Sequence, residues 1–468
     1  MDEKMEMLTM KHNRLMISLA LTSLVLAALA CNVPGHMPPT AVPTLSDAAV
    51  ATQVAKTMQA AGDVAEPTAT PELVVTATSE AAAPAPVLEG LRVAYSDANR
   101  DLWVWNEGEP PAKVLDTGDV VDVKLSPDGA QLLFARSLDY AAYSLWVMGA
   151  DGGSPQELVS ADEFEGMKAY ENAITAQPFV YDWVPGQKQA YFVTSPVFEG
   201  PGLVVNDDLW LVDTETGDFR ALLAAGEGGL PYFSPDGEKV MLATSENIVL
   251  MNADGSGRTV VKEFEPVLTY SEYMYYPSVQ WRSDSGMAAA AIPPKDSLAE
   301  DPEDTWAGFF TLAGEAQEIE SVPAYFLSAA VFNQQLNTFA YLKNVGADGE
   351  NRRELRLATS LAPGSAEDAV FATGNLEFVA WAPDGVRFAY RDNGEGKTML
   401  GQVGAGRMEL AGVDDPIGFA WIDDSSFLYL QRTDESWKMF TAQIGSDPVE
   451  AADLGPVGAS FPTYSFVK

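Results

Sequence analysis

One cassette recurs along this chain, and it constrains the fold more than any other feature. A short strand is followed by a Pro-Asp-Gly turn, a second and third strand, and a second tight turn. The first complete copy reads Val121-Asp122-Val123-Lys124-Leu125-Ser126-Pro127-Asp128-Gly129, then Gln131-Leu132-Leu133-Phe134-Ala135, then Ser144-Leu145-Trp146-Val147-Met148. It returns at Tyr232-Phe233-Ser234-Pro235-Asp236-Gly237 and at Ala380-Trp381-Ala382-Pro383-Asp384-Gly385. A repeat of this size cannot bury its own apolar face, so copies must pack on one another.

The spacing of first-strand landmarks selects the architecture. They fall at Ser126, Pro185, Ser234, Ser283, Asn333, Ala382 and Asp423, in steps of roughly 40–60 residues. Four-strand cassettes at that interval predict propeller blades rather than the strands of a sandwich. Third strands repeat as well (Leu102-Trp103-Val104, Leu145-Trp146-Val147, Leu209-Trp210-Leu211), and most lead into turns such as Ala150-Asp151-Gly152-Gly153. Gly and Asp suit hairpin turns that need positive φ. Leu91-Arg92-Val93-Ala94-Tyr95 reads as a second strand with no first strand before it, and Phe461 to Val467 as a first strand with no second after it. The expected fold is therefore an all-β, eight-bladed propeller whose C-terminal strand completes blade 1 and removes an open sheet edge. Seven blades remain if 179–226 or 324–374 is an insertion.

Bulk charge narrows the partners. The formal charge is -39, from 67 acidic and 28 basic side chains. Such a surface repels phosphate backbones, which argues against nucleic acid. Cations and basic protein surfaces stay open, beside the plainer reading that the charge serves solubility.

The single cysteine, Cys31, excludes a disulfide framework and a thiolate cluster. Lys11, His12 and Arg14 precede an apolar run over 15–30, the layout of a secretory signal. Ala28-Leu29-Ala30-Cys31 resembles a bacterial lipobox, with Ala28 where Leu or Val is usual. The resemblance implies cleavage before Cys31, lipid on its thiol, and a membrane anchor on the extracytoplasmic side. Residues 31–88 carry Pro, Ala, Thr and Ser without aromatics, as a solvated tether does. Leu45, Val50, Val54 and Met58 leave room for a short amphipathic helix within it. As flexible coil the tether spans on the order of 40 Å. The expected organisation is thus signal 1–30, tether 31–88 and propeller 89–468.

The Ser-Pro-Asp-Gly turn, joined to Leu-Trp-Val strands and Asp-Gly hairpins, resembles the WD40-like (PD40) repeats of the TolB propeller family over residues 90–468. Ser126–Gly129 and Ser234–Gly237 match well, Ala382–Gly385 nearly so, while Ser283-Asp284-Ser285-Gly286 and Asp423-Asp424-Ser425-Ser426 are degenerate. TolB has an α/β domain before its propeller where this chain has the tether. The resemblance implies the repeat type and no shared role.

Histidine settles much of the chemistry. Only His12 and His36 exist, both before the propeller, so neither a Ser-His-Asp triad nor a His/Cys zinc site can form in it. Gly394-Glu395-Gly396-Lys397-Thr398 ends like a phosphate-binding loop, but Arg391 stands where its first Gly belongs, and a blade 7 hairpin is the better reading. A carboxylate pair acting on glycans stays open, as does calcium, although no Asp-x-Asp-x-Asp-Gly loop occurs. No cofactor and no catalytic residue is assigned.

Segments 161–178, 196–207 and 293–305 read as long loops, with an aromatic connection from Tyr270 to Tyr276. Loops on a rigid scaffold are common binding elements. Tyr270, Tyr273, Tyr275 and Trp306 are the candidate rim of a channel-mouth site, against the alternative that they pack over neighbouring blades. The function expected is a non-enzymatic, lipid-anchored binding or scaffolding module for a protein, peptide or glycan. The alternatives are a glycan-active enzyme and a structural spacer.

Overall fold

The computed structural model describes residues 90–138, 142–200, 202–324, 330–346, 350–359, 367–458 and 460–468. Cys31, the signal and the tether lie outside the described residues. The described chain forms eight four-stranded antiparallel sheets. They are the blades of an eight-bladed propeller, so 179–226 and 324–374 supply blades 3 and 6 and the seven-bladed alternative falls. The first strands, in blade order, are Thr463–Val467, Val120–Leu125, Ala173–Trp183, Leu230–Phe233, Val279–Trp281, Val331–Phe332, Leu376–Trp381 and Ile417–Trp421.

The ring closes through its C-terminal strand. Thr463–Val467 pairs antiparallel with Arg92–Ser96, from Arg92↔Val467 to Ser96↔Thr463. Val467 is buried with Ala94 and Leu102 of its own blade and Val123 and Phe134 of blade 2. One strand therefore completes a sheet and seals the seam beside it.

The core is distributed over seams between blades. In blade 4, Val240 and Leu242 pack with blade 3, while Met241 and Ala243 pack with blade 5. Side chains alternate across a strand, so each interior strand serves two seams and must be apolar on both faces. That is why the second strands read as continuous apolar runs such as Lys239–Ala243 and Met287–Ile292. Indoles add hydrogen bonds between first strands. Trp281 Nε1 donates to the Tyr232 carbonyl (2.8 Å), Trp381 to Val331 (2.8 Å), Trp421 to Ala380 (3.2 Å) and Trp183 to Lys124 (3.3 Å).

The recurrent turn is a hydrogen-bonded unit. Asp128 Oδ1 accepts from Ser126 Oγ (2.6 Å) and the Ala130 amide (3.0 Å), and Ser126 Oγ accepts from the Gln131 amide (2.8 Å). Gly237 takes φ 71° with its α-carbon against the Pro185 carbonyl, 2.2 Å from where a β-carbon would stand. In the degenerate copies Ser285 (φ 60°) and Leu336 (φ 55°) occupy that left-handed slot. Backbone bonding also corrects the frame: the blade 3 turn starts at Val184 and the blade 5 turn at Arg282, one residue before the landmarks Pro185 and Ser283.

Antiparallel order within the blades sorts the connections onto two faces. Turns from first to second and from third to fourth strands share one face, hereafter the turn face. Second-to-third connections and blade-to-blade crossings share the opposite one, the loop face. The chain enters the ring on the turn face, where Arg92 Nη1 donates to the Gly129 carbonyl (2.9 Å). The long segments 160–172, 202–208, 264–278 and 293–304 all lie on the loop face, over blades 3, 4 and 5.

Candidate functional site

The segment 161–178, expected as a loop, is a helix followed by a strand. Ala161–Met167 is helical, and Ser160 caps it in a reciprocal box: the Glu163 amide donates to Ser160 Oγ (3.3 Å) and the Ser160 amide to Glu163 Oε2 (2.7 Å). Asp162 and Glu163 suit the positive end of the helix. Phe164 is buried edge-on against Phe192 (5.5 Å between centroids), which fixes the helix to blade 3.

Among the described residues, blade 3 alone carries a long two-stranded extension. Ala173–Trp183 and Gln189–Phe198 pair over their whole length, whereas Leu209–Asp213 pairs only with Gln189 to Phe192. About five residues per strand, or roughly 16 Å, therefore rise above the loop face as a two-stranded ribbon. The segment 196–207, expected as a loop, begins inside this ribbon. Pro178 and Pro196 cannot donate from its edges, which blunts strand addition. Where the third strand departs, side chains take over its bonds. Asp208 accepts from the Thr194 amide (2.7 Å), Thr194 Oγ1 (2.6 Å) and Trp210 Nε1 (2.8 Å), and Asn206 Nδ2 donates to the Thr194 carbonyl (3.2 Å). Burial raises the Asp208 carboxyl above the ordinary range even though these donors pull it down.

The loops brace one another. Val204 and Tyr273 form an isolated parallel bridge, with the Val204 amide donating to the Glu272 carbonyl (2.8 Å). The Asn206 amide donates to Tyr276 Oη (2.9 Å), and Tyr170 Oη donates to Asp207. The Leu268 amide donates to the Lys295 carbonyl (2.8 Å), and Lys295 pairs with Glu265 (2.7 Å). Asp296 Oδ1 accepts from both Tyr270 Oη (2.7 Å) and the Leu298 amide (3.0 Å). Together they make a platform whose polar groups bond inward.

The four candidate aromatics separate on this geometry. Tyr270 and Tyr273 lie on the platform, with Tyr270 63% and Tyr273 42% exposed. Tyr270 adopts φ 56°, a strained backbone for an aromatic residue. Its bond to Asp296 raises the Tyr270 hydroxyl above its usual value. Tyr275 is half-buried on the same connection. Trp306 belongs to the third strand of blade 5 and lies flat over Gly308, where a β-carbon would be 2.3 Å from the indole. The Lys262 ammonium of blade 4 sits 4.6 Å from its ring centroid, so Trp306 is part of the wall between two blades. Residues the sequence reading missed are Leu203, Leu268 and Leu298, at 54%, 42% and 59% exposure. Leu298 stood out as a large apolar residue in a polar loop, whereas Leu203 and Leu268 sit beside Val204 and Val267 and carried no distinct signal.

A separate charged group lies on the first strands of blades 2 and 3. Lys124 Nζ is 3.1 Å from Asp122 Oδ2. Burial opposes its charge, but Asp122 and Asp182 outweigh this and raise the Lys124 ammonium above its usual value. Asp182 Oδ1 accepts from the Trp183 amide (2.7 Å), and Tyr181 Oη accepts from the Ala135 amide (3.2 Å). Among the described residues no group of three or more His, Cys, Asp or Glu is arranged to hold a metal, and no helix is long and apolar enough to cross a membrane.

No protein-family model matches the sequence, and no curated protein matches it. Among solved structures the chain is similar to TolB from Acinetobacter baumannii, at 14% identity over 57% of this chain and 61% of that one, TM-score 0.30. The match thus spans less than two thirds of that TolB chain. It is also similar to the β-propeller domain of the Trilobed protease from Pyrococcus furiosus, described as having an open velcro topology (13% identity, 56% and 81% coverage, TM-score 0.39). A eukaryotic initiation factor is similar at 11% identity, with 78% and 84% coverage and TM-score 0.49. These are distant likenesses, and the function argued below rests on this chain's own residues.

Proposed function

We propose that the chain is a non-enzymatic binding or scaffolding module, anchored to a bacterial membrane through lipid on Cys31, with the loop platform as its binding face. One observation carries this reading. Three braced segments hold five exposed apolar side chains on the face opposite the one where the chain enters the ring. A tether attached on the turn face leaves the platform free to meet a partner. Tyrosine and leucine held on braced loops lose little conformational freedom on docking.

The alternative, a glycan-active enzyme working through two carboxylates, would draw on Asp122 and Asp182. Against it stands the Lys124 ammonium, already paired to one of them and electrostatically tied to the other.

Two experiments test the reading. Mass spectrometry of the membrane-extracted chain should find an N-terminal peptide beginning at acylated Cys31; a released, unmodified chain sinks the anchor. A photo-crosslinker at Tyr273 should capture a reproducible partner in cells, and one at Ala313 on the turn face should not. Equal capture from both positions overturns the assignment of the binding face.

A further inference from the structure

Taking the platform as the binding face, we infer that its partner is a cationic polypeptide surface with an apolar centre. Leu203, Leu268, Tyr270, Tyr273 and Leu298 are exposed on three loop segments that are bonded to one another. The Val204–Tyr273 bridge sets Leu203 beside Tyr273, the Leu268 amide is bonded to the Lys295 carbonyl, and Asp296 ties Tyr270 to Leu298. Patches of this kind on a soluble surface mark interaction sites.

The charge around the patch selects the partner. Segments 160–171, 199–208, 264–278 and 293–304 hold fourteen acidic side chains in forty-nine residues, twice the acidic density of the whole chain, and only Lys168 and Lys295 oppose them. Lys295 is already paired with Glu265, and Lys168 lies 3.9 Å from Glu165. The acidic run Glu300, Asp301, Glu303 and Asp304 is exposed next to Leu298, apart from any ion pair among the described residues. An apolar centre with a charged rim of one sign fits a partner of the same anatomy and opposite sign. The rim sets the rate and salt dependence of encounter, and the aromatic centre sets dwell time.

Strain gives an independent argument that the centre is held for recognition. Tyr270 keeps a left-handed backbone while its ring points into solvent. The bond from its hydroxyl to Asp296 (2.7 Å) holds the exposed ring in one place, and strained residues cluster at ligand-binding positions. A neutral glycan would use the tyrosines as stacking faces and a few carboxylates as hydroxyl acceptors, but would gain no long-range attraction from the rim's net charge. A cationic polypeptide uses both.

The test selects peptides from a random displayed library against the full chain in detergent micelles. Two variants are compared, Leu203→Ser with Tyr273→Ala, and Glu300→Gln with Asp301→Asn, Glu303→Gln and Asp304→Asn. Expected are peptides in which Lys or Arg flank an aromatic or Leu, weakened about tenfold or more by the first variant. The second variant should slow their association and flatten its salt dependence. Neutral or acidic selected peptides overturn the proposal. So do basic peptides that bind both variants unchanged, since that is attraction to net charge alone. Failure of all peptides together with platform-dependent binding of an arrayed glycan overturns the partner class and leaves the binding face standing. Failure of every probe at the platform removes both.

Discussion

Deleting residues 461–468 takes away the strand that closes the ring, and its cost can be worked from its contacts. Val467 is buried in the blade 1–blade 2 seam, and Tyr464 and Phe466 pack on the blade 8–blade 1 seam. Counting one full and two half-buried apolar side chains gives about 4–6 kcal/mol of lost burial. The five-residue register with Arg92–Ser96 adds about 2–4 kcal/mol of net ladder hydrogen bonding. The Leu125 amide also loses its bond to Ser465 Oγ (2.9 Å). A total of about 6–10 kcal/mol is half or more of the stability typical of a folded protein. Urea unfolding followed by tryptophan fluorescence should show a midpoint lowered by about 1–2 M. Trp437 helps as a local probe, since its ring contacts Phe461 at 4.7 Å between centroids. A synthetic peptide of residues 460–468 should restore much of the loss by refilling the gap. A midpoint within about 0.3 M of the intact chain would refute the claim that this strand holds the ring closed.

Trp281→Phe keeps an aromatic ring in the blade 4–blade 5 seam but removes the donor to the Tyr232 carbonyl, and should cost about 1 kcal/mol in the same assay. Gly237→Ala places a β-carbon against the Pro185 carbonyl in a left-handed turn, so it should destabilise by more than about 1 kcal/mol, whereas Gly404→Ala, with open space around it, should cost less. Acid should also unfold the ring through its turns. The Ser126 hydroxyl and the Ala130 amide hold Asp128 below the ordinary carboxylate value, and Asp423, despite burial, is pulled to about 2 by Lys468 and the Ser425 amide. Because these folded values are depressed, their contribution is present above the ordinary carboxylate range and is lost as pH falls from about 4 toward 2. Asp423→Asn should flatten that part of the pH–stability curve. Asp208 runs the other way: its raised value means a contribution complete below the ordinary range and lost as pH rises through its folded value, and Asp208→Asn should remove that slope.

The ring was legible because its signals are local and repeated. Ser-Pro-Asp-Gly reports a turn through its own hydrogen bonds, and an unmatched second strand at Arg92 with an unmatched first strand at Thr463 already implies their pairing. The one-residue frame error at Pro185 and Ser283 arose where the cassette is degenerate. There Ser285 fills the left-handed slot of the blade 5 turn, and in blade 3 the left-handed residue is Gly186, one position before that slot, so neither copy is marked by Asp-Gly. The helix at Ala161 was readable from Ser160-Ala161-Asp162-Glu163, a capping box before Phe164, but polar residues around it look like loop. The ribbon was not readable. Pro178 and Pro196 argue against strand in sequence, and only tertiary pairing shows that each sits where the ladder can spare a donor. Trp306 and Tyr270 are equally aromatic in sequence; one is half-buried against Gly308 and a blade-crossing Lys262, and a strained loop exposes the other.

Closure between Arg92 and Val467 also sets an order of events during synthesis. The strand that must meet blade 1 leaves the ribosome about 370 residues after its partner. Bringing such distant segments together from an open coil costs on the order of 5 kcal/mol. The intervening blades reduce that cost only by stacking first, so the edge of Arg92–Ser96 stays unpaired while those residues are being made. A sheet edge left open that long is where neighbouring chains would cross-pair. A chaperone that shields the first blade until the last strand arrives should therefore raise the yield of native protein more than one acting on any later blade.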